Sequence, residues 1–159
     1  LVSFAGTFND PLKGKELALA QYSQGADIIM NVASNTGNGV LEAAKDSQKY
    51  AVGVDINQDD IYPGFILTSM LKRVDVGTYE VIKSVAEDKF KGGEILKMNV
   101  ANGGIGLTDM SVMKQALGDK FPEDILTTIN ELTEKTPDMT RSDHIESALD
   151  IYFNRIGHK

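Results

Sequence analysis

Short apolar runs alternate with stretches of helical spacing along the first half of the chain, and polar turns separate them. Residues 1–5, Leu-Val-Ser-Phe-Ala, read as a strand, and Gly6-Thr7-Phe8-Asn9-Asp10-Pro11 turns the chain away from it. Asp10 before Pro11 is a helix start, because the carboxylate caps orphan N–H groups and proline tolerates the first helical position. A helix is therefore predicted over residues 12–23, with Leu17, Leu19, Ala20 and Tyr22 on its apolar faces and Gly25 closing it. Residues 27–33 form a continuous apolar run, as expected for a strand covered on both sides. The polar turn 34–39 leads into a predicted helix over 40–48, and residues 51–55 form the next strand. This β-α-β-α-β order with short connections predicts an α/β fold: a parallel open sheet with right-handed crossovers, flanked by helices on both faces.

Beyond a turn at 57–64, marked by Pro63, the periodicity lengthens. Ile66, Leu67, Met70, Leu71, Val74, Tyr79, Ile82 and Val85 recur at threes and fours, which predicts one long helix from Ile66 through Lys89. Gly77 inside it marks a break or a close packing contact. Residues 95–100 read as a fourth strand and 103–107 as a short fifth; Met70, Met110 and Met113 fit a core. Helices are predicted over 111–117, over 123–135 with Pro122 at its start, and over an amphipathic segment at 145–156. The polar stretch 135–141, with Pro137, is the one plausible boundary. It separates an expected domain at 1–135 from a C-terminal helical segment at 136–159.

Charge and composition narrow the partners. Among 159 residues, 23 acidic side chains against 16 basic ones give a net charge of −7, which argues against nucleic-acid binding. The basic cluster Lys89, Lys91 and Lys97 is diluted by Glu87, Asp88 and Glu94 and reads as a solvated helix end. There is no cysteine, which excludes disulfides, thiolate nucleophiles and Cys-ligated metals. No stretch approaches the roughly 20 apolar residues that span a bilayer. The chain opens inside a strand-like run without an initiator Met, and the expectation is the distal portion of a longer protein, its N-terminal lobe absent.

Several residues carry candidate chemistry, each with a plainer alternative. Asp55 ends an apolar strand, where ligands are met in open α/β sheets, and its two oxygens can accept from adjacent sugar hydroxyls. The alternative is a strand-end Asp that caps the following turn. Lys72 can donate to a sugar oxygen or pair with Asp55; the alternative is a snorkelling helix-surface lysine. Lys72 and Arg73 lie about 100° apart on a helix, so at most one aims at a cleft. Gly37, in a strand-to-helix turn, allows close backbone approach to a ligand or is simply part of a tight turn. Phe8, in a polar loop, is a stacking platform for a planar base, worth about 1–3 kcal/mol, or a ring folded onto the first helix. Asp59-Asp60 and Asp143-His144 lack a second cluster at metal-ligand spacing and read as exposed pairs. No triad or acid/base pair stands out, so neither catalysis nor a cofactor is expected.

Five segments together resemble one known family: residues 6–16, residues 25–39, Gly53-Val54-Asp55, the stretch from Leu67 to Asp75, and Gly103-Gly104-Ile105-Gly106-Leu107. The resemblance is to the basic membrane protein/Med family of substrate-binding lipoproteins, which includes purine-nucleoside receptors, and it runs from Leu1 to about Lys135. It implies one lobe of a two-lobed, periplasmic-binding-protein-like fold with a nucleoside held between the lobes. It also implies ABC permease subunits as partners, and a cell-surface or periplasmic location through a lipid anchor on the absent N-terminal part. The resemblance selects Asp55 and Lys72 as ligand contacts and places Met30 where the family often has an aromatic residue, here an apolar plate for the base. A ligand-sensing regulator of the same fold and a nucleoside-processing enzyme are the rival readings.

Overall fold

The computed structural model describes residues 1–121, of which 1–118 form one compact unit. Three parallel strands build its sheet: β1 (Ile28–Met30), β2 (Tyr50–Asp55) and β3 (Ile66–Lys72). A fourth, β4 (Ile105–Leu107), pairs antiparallel with the outer edge of β3, in the order β1-β2-β3-β4. Helices flank this sheet. They are α1 (Pro11–Ser23), α2 (Gly37–Asp46), α3 (Val74–Ala86) and α4 (Ser111–Leu117).

The start of α1 follows from its sequence. Asp10 accepts the Lys13 N–H at 3.0 Å, Pro11 takes the first helical position, and Gly25 at φ +95° ends the element. The core forms where α1 and α2 pack on the sheet: Ala18, Tyr22, Val40, Leu41, Ala43 and Ala44 close over Ala51 and Ile66. Glycines let the two helices approach at backbone distance. A Cβ on Gly14 would strike the Thr36 carbonyl, and one on Gly39 would strike the Pro11 carbonyl and stand 2.7 Å from the Lys15 nitrogen. The Tyr22 hydroxyl donates to the Tyr50 carbonyl at 2.7 Å, and burial pushes that phenol well above its ordinary range, so it stays a donor. On the wet side Lys15 spans Glu42 at 2.7 Å and Asp46 at 2.6 Å; such exposed pairs contribute little.

Three expected elements differ. Residues 1–5 are not a strand: they join no ladder, and Leu1, Val2 and Phe4 are open to solvent. Strand propensity without a partner for its N–H and C=O groups does not make a strand. The long helix predicted from Ile66 is two elements, a strand to Lys72 and a helix from Val74. An apolar run such as Ile66–Lys72 satisfies helical spacing and a buried strand equally, and pairing with both β2 and β4 decides for the strand. Lys72 is therefore a strand end, not a helix-surface residue. Residues 95–100 are not a strand either; Ile95 and Leu96 are exposed, and an Asn99–Asn102 turn bends the chain there. Here the side-chain amides compete for the backbone groups a ladder would need. The expected fifth strand is present as β4, and α4 lies where predicted, with Met113 buried. The helices read at 123–135 and 145–156, the boundary at 135–141 and Asp143-His144 lie outside the described residues.

Candidate functional site

Because β1, β2 and β3 run parallel, their last residues face one end of the sheet, although β1 stops at the level of Val52, three residues before the end of β2. Those residues are Met30, Asp55 and Lys72. In open α/β sheets this carboxyl edge is where ligands bind, since helices and returning loops leave a crevice there. The β2–β3 register sets Asp55 beside Leu71, one residue before Lys72. Among the described residues neither the Asp55 carboxylate nor the Lys72 ammonium has a hydrogen bond or ion pair, so the anticipated Asp55–Lys72 ion pair is not made. Arg73 is committed elsewhere. Its Nε and Nη2 grip Asp75 at 3.0 and 2.8 Å, and the guanidinium holds that carboxyl at about 2. The question of which neighbouring cation is available is thus answered by geometry rather than by helix phase.

A second group of residues meets the edge at β1. Thr36, 1% exposed, staples the Phe8 loop to the turn that follows Met30. Its hydroxyl donates to the Thr7 carbonyl at 3.1 Å and accepts the Asp10 N–H at 2.9 Å, while its own N–H reaches the Phe8 carbonyl at 3.2 Å. The Phe8 ring is 70% exposed, so it is not folded onto α1 as core. Thr36→Val is expected to cost about 1 kcal/mol, because it removes two part-buried hydrogen bonds, to the Thr7 carbonyl and from the Asp10 N–H, whereas Thr36→Ser keeps both and should lose less. Urea denaturation of both variants checks this; a loss in Thr36→Ser with none in Thr36→Val would mean that the methyl, not the hydroxyl, matters.

Gly37 opens α2, and its N–H is taken by the turn before it. A Cβ there would strike the Asn31 side chain, whose Nδ2 donates to the Val52 carbonyl at 3.2 Å. Glycine at 37 thus has a packing reason of its own. Asn31 is 3% exposed, and its Oδ1 accepts no hydrogen bond among the described residues.

Two hollows flank the middle strand. One, of about 790 Å³, takes in Phe8, Met30, Asn31 and Thr36 together with residues 1–5. The other, of about 450 Å³, is bordered by Lys72, Arg73, Val81, Ile82 and Met98. Phe8 and Met30 therefore share a hollow, Lys72 belongs to the other, and Asp55 and Gly37 border neither. Asp55 ends the strand between the two.

Asp59 was expected to be exposed and is instead 1% exposed. A single 3₁₀ turn, Asp59–Ile61, tucks it beneath β3, where it accepts the Ser69 hydroxyl; its neighbour Asp60 stays in solvent. Thr36, Gln58 and Ser69 escaped the sequence reading altogether. Each acts through a hydrogen bond to a distant or backbone partner, which no local pattern announces.

The family model described as ABC transporter substrate-binding protein PnrA-like matches residues 1–136. A lipoprotein of Pyrococcus abyssi is 31% identical over 150 residues, covering 85% of this chain and 37% of its own. The ABC transporter nucleoside-binding protein BmpA of Lactococcus lactis is 34% identical over 125 residues, covering 67% of this chain and 35% of its own. The crystal structure of an ABC transporter solute-binding protein from Aeropyrum pernix superposes with a TM-score of 0.58 at 29% identity, over 93% of this chain and 39% of that one. The chain thus spans well under half the length of these relatives. It belongs to the PnrA-like family of ABC transporter substrate-binding proteins.

Proposed function

We propose that this chain is part of the solute-binding component of an ABC-type importer, and that the solute is a nucleoside of the purine class. One observation carries the reading: three parallel strands end toward the same side of the sheet on Met30, Asp55 and Lys72, and among the described residues neither charged group is hydrogen-bonded or ion-paired. The Asp55 carboxylate accepts from neighbouring sugar hydroxyls, and charge-assisted contacts of this kind are strong once water is excluded. Lys72 donates to a sugar oxygen. Phe8 and Met30, which share one hollow, offer apolar faces to the base. The Lactococcus relative's name as a nucleoside-binding protein supports the choice of solute.

In this reading residues 1–135 form one lobe of a two-lobed receptor. Closure of the lobes on the nucleoside creates the surface that permease subunits recognise. A lipid anchor holds the complete protein at the cell surface or in the periplasm, in keeping with the lipoprotein among its relatives. Binding is the whole task, and no bond is made or broken.

Calorimetric titration of the complete protein with inosine, guanosine, uridine and ribose tests the proposal. Purine nucleosides should bind at least tenfold more tightly than uridine, and ribose alone should bind weakly. Heat with none of the nucleosides would overturn it, and release of free base during the titration would replace a receptor with an enzyme.

A further inference from the structure

Asp55 does not simply end β2. Its backbone lies at φ +69°, and the Ile56 N–H reaches back over it to the Val54 carbonyl at 2.9 Å. A three-residue ring closed around a positive φ is a γ-turn of the rare, strained kind. Aspartate tolerates the left-handed region better than most residues, but tolerance does not select it. Something must hold the turn.

We propose that Gln58 is a positioning residue for Asp55, and that Ser69 and Asp59 hold Gln58 in place. The proposal rests on the reading of Asp55 as a ligand contact. The Gln58 side chain folds back, and its Oε1 accepts the Val54 N–H at 2.8 Å, so residues 54–58 close on themselves around the turn. The Gln58 N–H donates to Ser69 Oγ at 2.9 Å, and that hydroxyl donates in turn to Asp59 Oδ1. The Ser69 N–H is held by Thr108 Oγ1 at 3.0 Å. Ser69 and Asp59 are 0% and 1% exposed, so the chain of contacts is anchored in the interior and ends at the Val54 N–H, one residue before the exposed Asp55. Space for it comes from Gly53: a Cβ there would strike Ser69 Oγ and stand 3.0 Å from Gln58 Cβ. The relay therefore spans β2, the connection after it and β3. It fixes where the Asp55 carboxylate stands relative to the end of the neighbouring strand.

Gln58→Met keeps the length and removes the acceptor, whereas Gln58→Glu keeps an acceptor oxygen. In the complete protein, three quantities are compared: amide hydrogen exchange at Val54, the Asp55 backbone coupling constant, and calorimetric affinity for inosine. Gln58→Met should speed exchange at Val54 at least tenfold, shift the Asp55 coupling, lower the thermal midpoint modestly because the Val54 N–H loses its acceptor, and weaken inosine binding about tenfold. Gln58→Glu should move all three back toward the parent values. Unchanged exchange and coupling in Gln58→Met would overturn the proposal. So would a loosened turn that leaves the affinity intact, or affinity losses in both variants that merely track the midpoint. If the parent binds no purine nucleoside, the receptor reading falls, while exchange and coupling still decide whether Gln58 sets the Asp55 turn.

Discussion

Gly39→Ala is expected to destabilise the compact unit by about 3 kcal/mol, an unusually large loss for one added methyl. The reason is where the new carbon must go. It would meet the Pro11 carbonyl and the Lys15 nitrogen, both backbone atoms of α1, which cannot rotate aside as a side-chain tip would. The helices would have to separate, and the cavity opened would run through Ala18, Leu41, Ala43 and Ala44, all at 0 or 1% exposure. Gly106→Ala is the matched control. It lies in β4 with nothing within 4 Å of a built Cβ and no positive φ, so its effect should stay within about 0.5 kcal/mol. Urea denaturation midpoints of the two variants decide the matter. A Gly39→Ala protein as stable as the parent would show that α1 and α2 do not meet at backbone distance.

Asp55→Asn is expected to weaken purine-nucleoside binding by about 1.5–3 kcal/mol, roughly ten- to a hundredfold, since each hydrogen bond to a charged acceptor is worth about that much. Asparagine is the informative replacement because it also accepts φ +69°, so the backbone turn survives and only the charge is lost. Asp55→Ala removes the charge and also puts alanine at a positive φ that Asp and Asn adopt more readily. It should lose more affinity and, unlike Asp55→Asn, some stability. Calorimetry of the complete protein separates the cases. Unchanged affinity in Asp55→Asn would remove Asp55 from the site and leave it as a turn residue.

Which parts of this structure the sequence foretold follows from the range of the interactions involved. The Asp10 cap, Pro11 at the helix start, Gly25 at its end and α4 are consequences of neighbours within four residues, and all were readable. Parallel pairing of β1 and β2 followed from alternation and short connections, whereas β3 stands where a helix was expected. Lys72 was expected within reach of Asp55 but on a helix, the wrong kind of element. Ile66–Lys72 carries both periodicities, and its strand state depends on partners some 15 and 35 residues away, in β2 and β4. Residues 1–5 erred in the opposite sense, with strand-like side chains and no ladder to join. Asp59 looked like a solvated charge because its partner, Ser69, is ten residues off and is brought near only by the fold. The resemblance pointed to Asp55, Lys72 and Met30, and turn and loop chemistry to Gly37 and Phe8, but neither could show that Gly37 is also required by Asn31, or that Gly53 makes room for a hydroxyl.

Met30, Asp55 and Lys72 each terminate a different strand, and all three lie outside the residues packed in the interior. On the proposed reading, a change at one of these tips that keeps the local backbone leaves the packed layer beneath untouched, so preference for one solute over another would drift by single exchanges with little effect on folding. The scaffold keeps what it grips adjustable while how it stands is inherited whole.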